Sequence, residues 1–239
     1  MIISLLTYNV WYSRALNNFH KLLEQCRPDI VCLQEIQTDN GEPSAIEQYG
    51  YKLADFSNSF IKFGKVYGLA TFYNPKKLDF HESSSLPLPR SYYEFILAFL
   101  RGGNKPRTVL KTEFIIKKSG KTIAAYNLHL SPTGTNGIRT KQIKAALEDI
   151  HISDRNPVVI AGDFNYPYQR KQFEEIIGNY SLKEATNNIQ STYEERFLKI
   201  FPIKLKNDYI LYKNLNLLKT EKMLCRDSDH FPIISEFEV

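Results

Sequence analysis

Apolar residues in this chain come in short bursts, and that pattern constrains the fold more than any other feature. Ten runs of strand length stand out: Ile2 to Tyr8, Ile30 to Leu33, Val66 to Tyr73, Leu78 to Leu86, Val109 to Ile116, Thr122 to Leu128, Val158 to Ala161, Asp208 to Tyr212, Leu217 to Leu224 and Phe231 to Phe237. Several alternate, and turn residues separate them. Apolar residues recur at helical spacing only over about Asn17 to Gln25, Ile138 to Ile150 and Gln169 to Ile177. A single sheet of some ten strands tends to split into two layers. The expected class is therefore α/β (α+β), with two packed sheets and helices outside. At 239 residues and 43% hydrophobic content the chain can bury a full core. No repeat, low-complexity tract or composition shift marks a linker, so one domain over 1–239 is expected.

The net charge of +5 suits an anionic partner but also suits plain solubility. Three cysteines, Cys26, Cys32 and Cys225, with Cys32 inside "IVCL", read as buried thiols in a reducing compartment. The start, "MIISLLTYNVW", lacks a basic region followed by a long apolar stretch and a cleavage site. No window reaches the length of a membrane span. A cytoplasmic monomer without a transmembrane segment is the expectation.

Polar residues gather where the strands run out. Asn9 follows the first strand and Glu35 the second. Asn127 and His129 end "TIAAYNLHL", and Asp163 and Asn165 follow "PVVIAGDFN". Asp208 opens "DYIL", while Asp229 and His230 immediately precede the last strand. In a mixed sandwich the end of one strand and the start of its neighbour share a rim, so these groups can converge. Carboxylates and amides are hard oxygen donors suited to Mg²⁺ or Mn²⁺, and imidazoles beside them suit phosphoester hydrolysis. There is no CxxC pair, HExxH, Gly-rich P-loop or GxSxG elbow. Structural zinc, metalloprotease, nucleotide triphosphatase and serine hydrolase readings thus lack their signatures.

Taken in order, "TYNVW", "DIVCLQE", "NLHLS", "GDFN", "NDYIL" and "SDHFPI" resemble the motif series of the endonuclease/exonuclease/phosphatase superfamily, the metal-dependent phosphoesterases related to deoxyribonuclease I. The resemblance spans residues 7 to 233 and implies a four-layered αββα sandwich with two packed mixed β-sheets flanked by helices. It also implies roles. Glu35, assisted by Asn9 and supported by Asp229, would hold Mg²⁺ (Mn²⁺ possible). Asp163 would orient or deprotonate water, and Asn165 would bind the scissile phosphate. His230, held by Asp208, would act as acid/base or stabilise the transition state, and His129 would bind a phosphate oxygen. Arg107 would approach the substrate, as an arginine before this strand does in several members.

The substrate implied is a phosphoester, with nucleic acid the leading expectation (nuclease or DNA-end-processing phosphodiesterase). A phospholipid, phosphoinositide or other small phosphoester is the alternative, and a noncatalytic phosphate-binding relative is a further one. "STYEE" resembles part of the tyrosyl-DNA phosphodiesterase 2 branch, although that branch has Trp-Asn where "TYNVW" has Tyr-Asn. Asn127, Tyr92 and Arg170 are further candidate substrate contacts. Residues 87 to 107 interleave Arg90, Tyr92, Tyr93, Arg101, Lys105 and Arg107, a composition able to stack bases and neutralise phosphates. Their apolar members, Phe95 and Ile96 among them, read as packing. His20, His81 and His151 match no motif and read as surface or local histidines.

Overall fold

The structure of the protein is a computed structural model that describes residues 1–62, 64–90, 92, 95–96, 107–133, 135–152, 156–197 and 201–239. Of the segment 87–107, Tyr93, Arg101 and Lys105 fall outside those residues. The first sheet contains β1 (Ile2–Asn9), β2 (Ile30–Gln37), β3 (Lys52–Lys62) and β4 (Lys65–Tyr73). The second opens with β5 (Leu78–Pro87), β6 (Thr108–Ile116), β7 (Thr122–His129) and β8 (Val158–Asp163). After β9 (Lys183–Glu184), a two-stranded ribbon forms from β10 (Tyr193–Phe197) and β11 (Phe201–Leu205). The chain ends with β12 (Asp208–Lys213), β13 (Asn216–Lys222) and β14 (Ile233–Glu238).

Strand order is β13-β14-β1-β2-β4-β3 in one six-stranded sheet and β5-β6-β7-β8-β12-β9 in the other. Each sheet is mixed, with one parallel pair, β1 with β2 or β7 with β8, among antiparallel ones. The parallel pairs are joined by crossovers carrying α1 (Phe19–Cys26) and α3 (Asn136–Ile152). A single turn, α2 (Glu42–Ala45), follows β2, and α4 (Arg170–Asn179) follows β8. No described helix is long and apolar enough to cross a membrane.

Side-chain alternation sorts the apolar residues into three layers of core. Ile3, Leu5, Ile30, Cys32, Ile123, Ala125, Val159, Ala161, Ile210 and Ile233 pack between the sheets. Their strand neighbours face outward. Leu6, Tyr8, Val31 and Leu33 meet Phe19, Leu22 and Leu23 of α1, the apolar stripe expected of an amphipathic helix. That helix stops where Arg27 turns left-handed and Pro28 denies it a further N–H. On the other side, Tyr126, Leu128, Val158 and Ile160 meet Ile143 and Leu147 of α3 and Phe173 and Ile176 of α4. The result is the expected four-layered αββα sandwich.

The ten anticipated strands and three helices are present, with ends displaced by a residue or two except in β2, which runs four residues past Leu33 to Gln37 and so contains Glu35. The final strand starts at Ile233 instead of Phe231, because Pro232 lacks a ladder donor. Strand β3 was not anticipated. It is an edge strand, and "KLADFSNSFIK" mixes small, polar and apolar residues without a clean alternation. The short β9 and the β10–β11 ribbon were missed as well.

Candidate active site

The inward-facing positions of the strands lead directly to the site. On β1 the inward set Ile3, Leu5 continues to Thr7 and Asn9, and on β7 Ile123, Ala125 continues to Asn127 and His129. On β8, Val159 and Ala161 continue to Asp163, and β12, running the other way, reaches Asp208 past Ile210. A strand repeats every two residues, so all these polar groups emerge in the seam between the sheets at one end.

Glu35 is the exception. Cys32 faces the seam and Leu33 faces α1, so strict alternation would send Glu35 outward beside Leu33. Instead, the register of β2 with β4 shifts between Gln34 and Ile36, and Glu35 takes a left-handed φ of 60°. This bulge re-aims the carboxylate into the seam. The adjacent Trp11, Tyr12 and Ser13 are also consecutively left-handed, with φ of 46°, 55° and 65°. Each such residue costs about 1–3 kcal/mol. Bonds to both strands hold the turn: Trp11 N–H donates to Asn9 Oδ1 at 3.1 Å, Ser13 N–H to Glu35 O at 3.1 Å, and Gln37 N–H to Ser13 Oγ at 2.7 Å.

Beneath the rim lies an uncharged polar layer. Gln34 Nε2 donates to Asn127 Oδ1 at 2.8 Å and to Thr7 Oγ1 at 3.1 Å. Asn127 Nδ2 donates to Leu33 O and Ala70 O, both at 3.0 Å. Asn127 was expected to touch substrate. It is 0% exposed with both amide donors spent across the seam, and it serves instead as a clamp between the sheets.

Above that layer the charged groups meet. His230 Nδ1 lies 2.8 Å from Asp208 Oδ2, and because an ionised carboxylate only accepts, the ring donates. Its Nε2 lies 3.7 Å from Asp163 Oδ2. Asp163 Oδ2 accepts from Asn9 Nδ2 at 3.1 Å and lies 3.4 Å from His129 Nε2, while its Oδ1 accepts the Asn165 N–H at 2.9 Å. Arg107 Nη1 lies 3.0 Å from His129 Nδ1. A guanidinium can only donate, so His129 carries its proton on Nε2, facing Asp163 and, at 3.8 Å, Glu35 Oε1.

Burial sets the protonation pattern. It drives His129 well below the ordinary histidine value, with Arg107 and His230 adding repulsion, so that ring is neutral. Burial would also lower His230, but Asp208 and then Asp163 outweigh it and push the imidazolium up to about 10. Asp163 is raised to about 7 by burial, with Asp208 and Glu35 adding to the rise against His230. Burial likewise raises Glu35 and Asp229.

The donor set fits a divalent cation. Among the described residues, four carboxylates, Glu35, Asp163, Asp208 and Asp229, face the two positive charges of Arg107 and His230, an imbalance that a dication would relieve. Among the described residues Glu35 Oε2 is buried without a hydrogen-bond partner, an expensive state for a carboxylate oxygen unless an ion meets it. Ligand atoms of Asp163, Asp208 and His230 also lie within 4.8 Å of one another, close enough to hold a metal. Their own Asp208–His230 hydrogen bond competes with that use, and Glu35 has no such bond at Oε2.

The remaining anticipated residues divide. Asn165, left-handed at φ 48°, donates its Nδ2 to Leu130 O at 3.3 Å on the rim's edge. Asp229 accepts from Ser228 Oγ at 3.2 Å beside the imidazolium. Tyr92 is 80% exposed. Arg170 is not brought to the rim: its guanidinium is ion-paired with Glu184 and Glu174 and reaches Asn187 at 3.2 Å, bonds that commit it to the anchoring of α4.

Sequence reasoning left other groups without a role. Thr192 Oγ1 accepts the N–H groups of Asn207 at 3.0 Å and Asp208 at 2.9 Å, and its carbonyl accepts from Phe231 N–H at 2.8 Å, so one residue ties both halves of the Asp208–His230 pair. Tyr193 sets its ring edge-on to His230 at 4.9 Å. Phe60 of β3 lies edge-on to His129 at 6.1 Å, with Arg107 over its face at 4.7 Å. The "STYEE" stretch was visible but its contacts were not, and nothing in β3 announced Phe60.

Two mixed six-stranded sheets packed face to face, with carboxylates and imidazoles converging at one end, have the deoxyribonuclease I-like fold. The chain belongs to the Endonuclease/Exonuclease/phosphatase family, which it matches over residues 6–230. It is 25% identical over 238 residues to Protein angel of Drosophila melanogaster, covering 90% of this chain and 62% of that protein. The chain thus spans about three-fifths of that relative's length. Among solved structures it superposes on ANGEL2, a 2′,3′-cyclic phosphatase, in complex with adenosine-2′,3′-vanadate, with TM-score 0.80 and 16% identity, covering 99% of this chain and 95% of the other. It also superposes on D. rerio TDP2 complexed with a single-strand DNA product, with TM-score 0.73 and 16% identity, covering 100% and 99%.

Proposed function

We propose that this chain is a divalent-metal-dependent phosphodiesterase acting on nucleic acid. The observation that carries the reading is the seam itself, where a charged Asp208–His230 pair, a carboxylate with a near-neutral pKa and an unpartnered Glu35 oxygen meet. Glu35, with Asn9 and Asp229 beside it, would hold Mg²⁺ or Mn²⁺, which supplies neutralisation of phosphate charge when bound.

The chain's own groups account for the rest. Asp163, raised towards neutrality, is matched to accept a proton from water near pH 7. The hydroxyl joins phosphorus, the bond from phosphorus to the leaving oxygen breaks, and that oxygen leaves as the alcohol after taking a proton from solvent, to which Asp163 returns the one it accepted. His230, kept cationic by Asp208, donates towards the charge that builds on phosphate oxygens. His129 adds a neutral Nε2–H, fixed in that tautomer by Arg107, and Asn165 stands at the edge where a phosphate oxygen would sit.

Support for a nucleic acid substrate comes from the relatives, one described as a 2′,3′-cyclic phosphatase and one bound to single-strand DNA. The test is hydrolysis of single- and double-stranded DNA, RNA, a 5′-tyrosyl oligonucleotide, a 2′,3′-cyclic nucleotide, an inositol phosphate and sphingomyelin, with Mg²⁺, Mn²⁺ or EDTA. Metal-dependent cleavage of a nucleic acid substrate that falls by at least about 10²-fold in His230→Ala is expected. Cleavage of the lipid or inositol phosphate alone would overturn the substrate class, and equal rates in EDTA would overturn the metal.

A further inference from the structure

Beyond the rim, the turn after β1 and the β3–β4 hairpin build a wall of rings that carries cations. Tyr12, Phe60 and Tyr67 are mutually packed, with centroids 6.1 Å apart for Tyr12 and Phe60, 5.3 Å for Tyr12 and Tyr67, and 5.6 Å for Phe60 and Tyr67. Two of the rings have a cation over one face. Arg107 lies 4.7 Å above Phe60 while reaching His129, and Lys62 Nζ lies 3.7 Å above Tyr12. The row therefore runs from His129 through Arg107 and Phe60 to Tyr12 and Lys62. Lys65 is paired opposite Lys62 in the hairpin, so its tip has two lysines.

This arrangement differs from a solvated charge run in one respect. A lysine on a surface strand samples many rotamers, whereas an ammonium seated on an aromatic face is held in place by about 0.5–2 kcal/mol. Tyr12 is itself fixed, because it belongs to the left-handed turn bonded to Asn9, Glu35 and Gln37. The same strained backbone that supports Glu35 thus sets the place of the outer cation. Arg107 and Lys62 thus sit on neighbouring rings whose centroids are 6.1 Å apart.

We propose that Lys62 on Tyr12, with Lys65 behind it, forms a second phosphate subsite that takes the phosphate next to the scissile one in a single-stranded polynucleotide. The inference rests on the phosphodiesterase reading for the identity of the first site. It adds a directional track: the strand leaves the rim along the β3–β4 hairpin, and a substrate with a single phosphate leaves this subsite unfilled.

The test is equilibrium binding of a fluorescent oligothymidylate of about eight nucleotides in EDTA, with salt varied from about 50 to about 200 mM; each phosphate contact on a single strand contributes about 0.7 to the slope of log affinity against log salt. Lys62→Met is expected to reduce that slope by about 0.7, equivalent to an about 2.6-fold smaller loss of affinity over that range. Lys183→Met, the same charge change on β9, an edge strand of the other sheet, is expected to leave the slope alone. Tyr12→Leu should weaken binding and Tyr12→Phe restore it, an aromatic rescue that a generic fold defect would not show.

An unchanged slope in Lys62→Met, an equal reduction in Lys183→Met, or no measurable binding by the unaltered chain at the lowest salt would overturn the inference. Thymidine 5′-triphosphate serves as competitor. If Lys62→Met weakens the triphosphate and not the oligonucleotide, the subsite takes a compact polyphosphate and the strand assignment falls. Turnover is not read, so a chain that binds as described but cleaves no nucleic acid would overturn the catalytic reading and leave this one standing.

Discussion

Replacing Asp208 by Asn removes one charge and almost no volume, and its effect can be worked from the geometry. His230 is held at about 10 against an ordinary 6.5, by Asp208 at 2.8 Å and Asp163 at 3.7 Å, in spite of burial. A difference of that size corresponds to roughly 5 kcal/mol of preference for the imidazolium. With the folded pKa above the unfolded one, the folded state binds the extra proton. The stabilisation is therefore complete below pH 6.5 and is lost as pH rises towards about 10. Asp163, raised to about 7, completes most of its own titration below the upper part of that window. In Asp208→Asn the amide oxygen can still accept the Nδ1–H, but the larger of the two attractive charges is gone. His230 should titrate several tenths to a few units lower, and the fall in stability between pH 7 and 10 should flatten. The assay is urea unfolding of the metal-free protein across pH 7–10, paired with NMR titration of the His230 ring protons. A His230 pKa unchanged within about 0.3 units in the variant, or an unchanged alkaline limb, would refute the charge-pair argument.

Two further outcomes test other parts of the frame. His129 is buried and held neutral, its pKa depressed, so the unfolded chain gains a proton below pH 6.5 that the folded chain refuses. Stability from this source is present above pH 6.5 and lost as pH falls, and His129→Gln should flatten that acid limb in urea unfolding. Gly162 is at φ 146°, and a Cβ there would lie 2.0 Å from the Leu128 carbonyl oxygen of the parallel neighbour β7. Gly162→Ala must push β8 from β7 and should cost about 2–4 kcal/mol of unfolding free energy, read from the urea midpoint.

The sandwich was legible because strands such as "VVIAGD" and "TIAAYNLH" carry the two-residue period openly, and the same period delivers Asp163 and His129 to the seam. Glu35 was found from its place after the apolar run "IVCL" and from motif resemblance, and not from periodicity. Its parity is wrong for the seam, and only the bulge and its left-handed φ correct it. Asn127 and Arg170 show the converse. Both sit in the right stretch of sequence, yet one is consumed by carbonyls across the sheets and the other by Glu184, partners distant in the chain. Phe60, Lys62 and Thr192 act through tertiary contacts alone: two rings, a cation and two backbone N–H groups that no local pattern announces.

Because His129, Asp163 and Asp208 are the next in-phase residues beyond the core, the seam works as a gauge of strand registry. A one-residue insertion within β7, β8 or β12 would exchange the faces of every residue between it and the rim, sending His129, Asp163 or Asp208 towards the helices and an apolar neighbour into their place. An insertion in the turn at Ser119 and Gly120, outside the ladders, leaves parity untouched. A lesion that slips one of these strands therefore also removes a polar group from the rim, and any population in which His129, Asp163 and Asp208 meet there is already sorted for correctly threaded sheets.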